Sequence, residues 1–266
     1  MRSQLDLIDI HNATIWRGNS RVFSELNLTI ARHEQVAIIG PNGCGKTTLL
    51  KTINRELYPV VSPDSHVRIL GKDRWNVWEL RKQIGVVSND LHQRYTATTH
   101  GLDVVVSGFH ASIGIQGTLA RQVDATQVAA AREMLQQLEI PELASTQLRH
   151  MSSGQQRRCL LARSLIHQPE TLILDEPTAG LDFAASFSYL KRIRQLASEG
   201  CSIVMVTHYL NEIPPEIDRV VLLQAGRVVA DGPKREILCA ATLSAAYETP
   251  IRVAEVDGYF LAYPGT

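Results

Sequence analysis

The stretch G-P-N-G-C-G-K-T, residues 40–47, constrains the fold of this chain more than any other part of the sequence. It has the form G-x-x-x-x-G-K-[ST], in which glycines let the backbone turn tightly and present N–H groups to phosphate oxygens. Lys46 offers an ammonium group to the β- and γ-phosphates, and the hydroxyl of Thr47 can ligate Mg²⁺. The stretch therefore predicts a P-loop, a phosphate-binding loop for a nucleoside triphosphate.

The segments on both sides of this loop fit the same interpretation. Residues 36–39 read V-A-I-I, a short apolar run typical of a buried strand. Residues 47–54 carry a helical pattern, which would place the phosphate at a helix N-terminus, where the dipole favours an anion. A chance glycine-rich turn is the alternative, and the flanking strand and helix argue against it.

The composition is that of an ordinary globular protein, with 266 residues, 44% hydrophobic and 20% charged. This length allows one large domain or two modest ones. Lysine plus arginine and aspartate plus glutamate both number 27, so the formal net charge is zero. Because nucleic-acid-binding proteins usually carry a basic excess, we expect no nucleic-acid partner.

Cysteine usage and hydropathy indicate the compartment. The cysteines, at positions 44, 159, 201 and 239, form no C-x-x-C pair, which argues against zinc and favours free thiols in a reducing cytoplasm. The N-terminus lacks the apolar core of a signal peptide, and no apolar run approaches the ~18 residues of a membrane helix. We therefore expect a soluble chain, and another subunit would have to supply any membrane-spanning part.

Strand-like and helix-like segments alternate along the chain. We predict strands at residues 5–10, 22–30, 36–39, 67–70, 84–88, 171–174, 202–207, 220–223, 227–230, 251–256 and 259–261, and helices at residues 47–54, 75–82, 103–109, 125–138, 153–167 and 184–198. The alternation predicts an α/β fold with a mainly parallel sheet. Residues 95–164 are mostly helical and punctuated by glycines, so we predict a helical subdomain inserted into the α/β body.

Two further strands end in polar groups that suit phosphate chemistry. Residues 171–176 read T-L-I-L-D-E, an apolar strand followed by two acids. Asp175 can hold Mg²⁺ through water, and Glu176 can act as general base toward the attacking water. Residues 204–208 read V-M-V-T-H, so His208 also follows a buried strand and can contact the γ-phosphate. Solvated acids and a capping histidine are the alternatives, and the P-loop upstream argues against them.

Four features together resemble one known family. Residues 151–155 read M-S-S-G-Q before a basic helix, residues 174–182 read L-D-E-P-T-A-G-L-D, His208 follows a strand, and Trp16 lies upstream of the P-loop. In order and spacing they closely resemble the signature motif, the Walker B motif with the D-loop, the switch histidine and the adenine-stacking aromatic residue of the ATP-binding cassette (ABC) ATPases. The resemblance runs from about residue 5 to residue 240.

The resemblance implies a single ABC ATPase domain over residues 1–266. Its fold would be a P-loop NTPase core with a mainly parallel sheet, an N-terminal antiparallel β subdomain and an inserted α-helical signature subdomain. Residues 1–94 and 165–240 would form the nucleotide-binding core with the β subdomain. Residues 95–164 would form the helical subdomain, and residues 241–266 a short C-terminal extension.

The resemblance also implies the role of each site residue, with ATP and Mg²⁺ as ligands. The implied catalytic residues are Glu176 and His208, the D-loop residue is Asp182, and the metal-binding residues are Thr47, Asn89 and Asp175. The implied nucleotide-binding residues are Trp16, Gly40, Pro41, Asn42, Gly43, Cys44, Gly45, Lys46, Thr47 and Thr48. The implied signature residues, which would contact the ATP of a partner subunit, are Ser152, Ser153, Gly154 and Gln155. Since one chain carries one of each motif, a homodimer or a pair with a second ABC subunit is implied.

Three positions depart from the family pattern. Ser153 stands where glycine is usual, and its side chain would crowd the phosphate or add a donor. Cys44 stands where serine is common, and its thiol would be either a packing group or an oxidation-sensitive one. Asn89 stands where the family has glutamine, so its shorter amide would reach the metal only through water; Gln93 is a weaker candidate. Because in the family this loop couples the ATP site to the partner subunit, the resemblance implies that the departure bears on coupling more than on binding.

Two roles for such an ATPase fit the resemblance. The first is the energising subunit of a bacterial importer, bound to a polytopic membrane permease at the inner face of the cell membrane. The helical insert could dock a membrane subunit, and the S-N-D-L stretch at residues 88–91 is similar to a subgroup grouped with molybdate-type transport ATPases. The second is a soluble ABC ATPase outside transport, such as one for metal-cluster assembly or regulation.

Overall fold

The computed structural model describes residues 6–115, 117 and 119–265; for residues 89 and 92 it describes the backbone but not the side chain. The strands are β1 (Asp6–Arg17), β2 (Ser20–Ala31), β3 (Val36–Ile39), β4 (His66–Ile69), β5 (Ile84–Val87), β6 (Thr171–Asp175), β7 (Ser202–Val206), β8 (Arg219–Gln224), β9 (Arg227–Pro233), β10 (Ile251–Val256) and β11 (Tyr259–Pro264). The helices are α1 (Lys46–Ile53), α2 (Val77–Gln83), α3 (Asn89–Gln93), α4 (Gly101–Val106), α5 (Ala125–Gln137), α6 (Ser153–Leu165), α7 (Phe183–Ser198), α8 (Lys234–Ile237) and α9 (Ala240–Tyr247).

The chain divides into two compact units. The first comprises the residues up to Val77 and those from Ala197 onward, and the second comprises Trp78 to Leu196. The predicted helical subdomain, residues 95–164, falls inside the second unit, and its boundaries stay a prediction.

The first unit contains an antiparallel sheet with the order β2-β1-β4. Along β2, Leu26, Leu28 and Ile30 are buried while the residues between them are exposed. This alternation places one face of the strand against a core and the other in solvent. The N-terminal antiparallel β subdomain that the resemblance implies is therefore present.

The first unit also contains the strand that leads into the P-loop. Strand β3 lies between β7 and β8 and is parallel to both, and β9 extends the sheet antiparallel to β8. All four residues of β3 are buried, as the continuous apolar run 36–39 predicted. The hairpin of β10 and β11 completes the described C-terminal segment.

The second unit joins a parallel strand pair to a group of helices. Strands β5 and β6 run parallel, from the pair Ile84 and Thr171 to the pair Val87 and Leu174. Helix α4 packs closely on α6, because a Cβ at Gly108, just past α4, would lie 2.6 Å from the carbonyl oxygen of Arg163. The predicted α/β class is confirmed. None of the helices in the described part of the chain has both the length and the apolar character needed to cross a membrane.

Candidate functional site

The P-loop lies between the carboxyl end of β3 and the start of α1. Gly40, Gly43 and Gly45 have φ angles of 153°, 82° and 113°, which residues with a side chain rarely adopt. A Cβ at Gly40 would lie 2.2 Å from the carbonyl oxygen of Leu223, and one at Gly45 would lie 2.6 Å from the ring of Phe23. The loop therefore needs glycine at these two positions for its conformation and for the close approach of its neighbours.

Replacing Gly40 by alanine should destabilise the protein more than the same change at Gly43. Gly40→Ala combines an unfavourable φ with a backbone clash and is expected to cost about 2–5 kcal/mol of unfolding free energy. Gly43 also has a positive φ, but a Cβ there would have no neighbouring atom within 4 Å, so Gly43→Ala should cost only about 1–2 kcal/mol. Urea unfolding of both variants measures the difference, and equal losses would contradict this account of the loop.

Lys46 begins α1, and its ammonium group points back into the P-loop. Nζ donates hydrogen bonds to the carbonyl oxygens of Gly40 at 2.6 Å and Pro41 at 3.1 Å. The side chain is buried, with 8% of the residue exposed. The loop thus holds a positive charge next to glycine backbone, at a helix N-terminus, which is the arrangement that binds phosphate.

Cys44 is a packed residue of the loop rather than an exposed thiol. It is 3% exposed, and burial raises the pKa of its thiol. Its carbonyl accepts a hydrogen bond from the N–H of Gly226 at 3.1 Å. Because a buried thiol with a raised pKa carries little thiolate, the packing interpretation of this departure is favoured over oxidation sensitivity. Burial also raises the pKa of Tyr247 in α9 to about 12, and the electrostatic interaction with Cys44 raises this pKa further.

His208 lies at the same sheet edge as the P-loop. Strand β7 pairs with β3 in parallel register, and Val206 is opposite Ile38. The N–H of Thr207 continues the pairing to the carbonyl oxygen of Ile38 at 3.1 Å. The next residue, His208, therefore leaves β7 where β3 turns into the P-loop. Its ring is tilted against the ring of Tyr209, with centroids 3.8 Å apart.

A buried pair that the sequence analysis missed holds the segment around His208. The hydroxyl of Thr207 donates to a carboxylate oxygen of Glu212 at 2.5 Å and accepts from the N–H of Tyr209 at 3.0 Å. Glu212 is only 2% exposed. A buried carboxylate is costly unless it is hydrogen-bonded, so this contact fixes the backbone on both sides of His208. The sequence signal was weak, since Glu212 follows β7 by several residues, at the end of the short 3-10 helix Leu210–Glu212.

Trp16 lies near the end of β1, opposite Arg21 of β2. The residue is 45% exposed, so part of its ring is available to a ligand. The adjacent pair of Ile15 and Phe23 links the same strands, and the ring of Phe23 lies against Gly45. Strand pairing therefore connects the Trp16 end of β1 to the P-loop.

In the second unit, β6 ends at Asp175 and Glu176 follows. The first four residues of β6 are buried and Asp175 is partly exposed, so the acids emerge from a buried strand. Glu176 has a φ of 46°, a left-handed conformation that is uncommon for a residue with a long side chain. Its carbonyl oxygen accepts from the N–H of Ala179 at 3.2 Å. The backbone therefore turns sharply at Glu176 and leads into residues 179–182, here termed the D-loop.

Asp182 ends the D-loop and directly precedes α7. Its carboxylate accepts a hydrogen bond from the N–H of Ala185 at 2.8 Å, as a helix-capping residue does. Arg157 of α6, a residue whose role the sequence analysis missed, donates from Nη2 to the carbonyl oxygen of Ala179 at 3.1 Å. Arg157 is 5% exposed. A buried arginine from the signature helix thus supports the D-loop.

Residues 152–155, here termed the signature loop, form the N-terminus of α6. The N–H of Gln155 donates to Oγ of Ser152 at 3.2 Å, and the N–H of Ser152 donates to the Gln155 side chain at 2.9 Å. This capping box leaves the Ser152 hydroxyl proton available to an acceptor at the helix N-terminus. The hydroxyl of Ser153 instead donates to the carbonyl oxygen of Gly180 at 3.1 Å. Gly154 is buried, since a Cβ there would lie 3.0 Å from the Cβ of Ala185.

Asn89 is the first residue of α3 and is separated from β5 by Ser88, and its side chain lies outside the described residues. The hydroxyl of Ser88 accepts from the N–H of Leu91 at 3.2 Å and so caps this short helix. Gln93, the weaker candidate, is exposed at the last position of α3.

The two units divide the candidate residues between them. The first unit contains Trp16, residues 40–48 and His208. The second unit contains the signature loop, Asp182, Asp175, Glu176 and Asn89.

Comparison with known proteins gives one family. A family model described as "ABC transporter" matches residues 23–179. The ATP-binding protein YlmA of Bacillus subtilis, described as an ABC transporter protein, is 32% identical over 252 residues, which cover 93% of each chain. The hemin import ATP-binding protein HmuV of Aliivibrio fischeri is 32% identical over 250 residues, which cover 90% of each chain.

Solved structures show the same fold. A metal-chelate type ABC transporter in an inward-facing conformation matches with a TM-score of 0.76 at 23% identity, covering 97% of this chain and 96% of that chain. The dimeric structure of MJ0796, a bacterial ABC transporter cassette, matches with a TM-score of 0.68 at 26% identity, covering 85% of this chain and 98% of that chain.

Proposed function

The chain belongs to the ABC transporter family as one of its ATP-hydrolysing, ATP-binding proteins, and on that premise we propose that it works as a dimer that powers a bacterial importer through a separate membrane permease. The importer role is supported by the relatives, which include proteins named for the import of hemin and cobalt and for the transport of glutamine. The dimer is supported by the dimeric cassette MJ0796.

The observation that carries this proposal is the signature loop. Each chain has a P-loop at residues 40–47 and, at residues 152–155, a capped helix N-terminus at which Ser152 and Ser153 are exposed to solvent. A helix N-terminus with a hydroxyl donor is an anion site. In an ABC dimer that site serves the ATP bound to the P-loop of the other subunit, so two chains would complete two nucleotide sites.

Each candidate residue then has a task in ATP hydrolysis. Lys46 and the backbone N–H groups of the P-loop bind the phosphates, and the exposed face of Trp16 stacks on adenine. Thr47 and Asp175 each carry a hard oxygen ligand of the kind that suits Mg²⁺, and the ion would offset charge on the phosphates when bound. Glu176 accepts a proton from the attacking water, and His208 contacts the γ-phosphate.

Purification from detergent-solubilised membranes tests the importer role. The tagged chain should retain a polytopic membrane protein in a fixed ratio, and the Glu176→Gln variant with ATP should retain it too, since only turnover is removed. A membrane fraction treated with the tag alone is the control. Recovery with soluble partners only, from both forms of the chain, would overturn the importer proposal and favour the soluble ABC ATPase.

Asn89→Gln should change coupling more than basal hydrolysis. The substitution adds one methylene and restores the amide reach that the family has at this position. With the permease present, the stimulated rate should rise about 2- to 10-fold, as expected for one additional hydrogen bond, while the basal rate changes less. Phosphate release with and without the permease measures both rates. An equal change in the two rates would contradict a coupling role for this position.

A further inference from the structure

Two hydrogen bonds connect the signature loop and its helix to the D-loop within one chain. The Ser153 hydroxyl donates to Gly180 O at 3.1 Å, and Arg157 donates to Ala179 O at 3.1 Å. Both acceptors are backbone carbonyls of adjacent residues, and Gly180 adopts a φ of 75°. The D-loop is therefore held from one side by the start of α6.

Close packing strengthens the same connection. Gly154 lies so near α7 that a Cβ would be 3.0 Å from the Cβ of Ala185. Ala185 in turn donates its N–H to Asp182, the last residue of the D-loop. Because tightly packed groups transmit small displacements, a shift of the signature loop would move the D-loop with it.

The contact made by Ser153 depends on its side chain. Glycine, the residue that the family usually has here, carries no hydroxyl and could not donate to Gly180. The departure from the family pattern thus adds a donor, but the donor is directed to the D-loop of its own chain.

We propose that Ser153 is a positioning residue that couples the two nucleotide sites of the dimer through its hydrogen bond to Gly180. The inference rests on the proposed dimer, in which the signature loop serves the ATP of the partner subunit. The D-loop begins three residues after Glu176, which acts on the ATP of its own subunit. The hydrogen bond therefore joins two segments of one chain. The signature loop contacts the ATP of the partner subunit, and the D-loop follows Glu176, the base for the ATP of its own subunit.

The test measures how the ATPase rate depends on ATP concentration. Wild type should give a Hill coefficient above 1. Ser153→Ala and Ser153→Gly should weaken the coupling between sites roughly two- to tenfold, the effect of one hydrogen bond, and so move the coefficient toward 1. Ser153→Thr keeps the hydroxyl and should retain the wild-type coefficient. Ser164→Ala is the matched control, because the Ser164 hydroxyl donates to Leu161 O within α6 and not to the D-loop.

The variants also separate coupling from folding. The thermal unfolding midpoints of the three Ser153 variants should all lie within a few degrees of wild type, because the residue is exposed and one hydrogen bond at most is removed, while their Hill coefficients differ. The inference is overturned if wild type has a Hill coefficient of 1, if Ser153→Gly keeps the wild-type coefficient, or if Ser153→Thr loses it. Failure of the proposed dimer would give a different result. The Glu176→Gln variant would then stay monomeric in the presence of ATP, both with Ser153 and with each substitution at position 153.

Discussion

Replacing Glu176 by glutamine should lower the turnover number for ATP hydrolysis by about 100- to 10,000-fold while leaving ATP binding intact. Glutamine matches glutamate in size but cannot accept the proton of the attacking water, and a general base contributes a factor of this order. The left-handed turn at Glu176, directly after buried β6, fixes where this side chain starts. ATP that is bound and not hydrolysed should then hold two chains together. Phosphate release measures the first effect, and gel filtration with Mg-ATP measures the second.

Glu170→Gln is the matched control for this prediction. Glu170 is exposed and directly precedes β6, so the same chemical change is made at the opposite end of the same strand. This variant should hydrolyse ATP within about twofold of wild type, as expected for a surface substitution. A Glu176→Gln protein that turns over as fast as Glu170→Gln would show that another group is the base.

The P-loop and its flanks were predictable because local sequence determines them. The strand predicted at residues 36–39 is β3, with the same four residues, and the helix predicted at 47–54 is α1, shifted by one residue at each end. A continuous apolar run, a glycine-rich loop and a helical pattern follow one another there, so the strand, loop and helix can be predicted without knowing which distant residues they contact.

Elements without a periodic pattern were predicted less well. Helix α3 was missed, because five residues rich in polar side chains give no apolar recurrence, and the Ser88 cap was its only cue. Helix α4 was predicted at residues 103–109 but spans Gly101–Val106. It begins where the N–H of Gly101 pairs with Thr146 O at 3.0 Å, and this partner lies far along the chain.

The contacts that position the candidate site are also nonlocal. The sequence raised two possibilities for Ser153, crowding or an added donor, but the acceptor, Gly180, lies 27 residues away. Likewise, the sequence could indicate that Arg157 belongs to a basic helix, but not that it is buried against Ala179. A sequence motif predicts which residues take part in the reaction, whereas the hydrogen-bond partners that position those residues depend on how distant segments of the chain pack together.

Replacing Lys46 by alanine should weaken ATP binding roughly 10- to 150-fold. The ammonium group is buried inside the P-loop, where it lies against the carbonyl oxygens of Gly40 and Pro41. A hydrogen bond to a charged group contributes about 1.5–3 kcal/mol, which corresponds to this range of dissociation constants. Isothermal titration calorimetry with Mg-ATP measures the loss. Lys51→Ala, which removes a lysine from the last turn of the same helix, should leave the dissociation constant within about twofold.

Lys46→Ala also removes the hydrogen-bond donor to the carbonyl oxygens of Gly40 and Pro41, so the stability of the folded state must be measured separately from ATP binding. Lys46→Ala is expected to cost about 1–3 kcal/mol of unfolding free energy, and urea unfolding gives this value independently of ATP. Lys46→Arg keeps the positive charge but replaces a compact ammonium, whose single Nζ contacts the carbonyl oxygens of both Gly40 and Pro41, by a larger planar guanidinium with donors at other positions. It should therefore bind ATP more weakly than wild type even if it folds normally. If both variants fold and bind ATP with the wild-type dissociation constant, the phosphates do not bind at this loop.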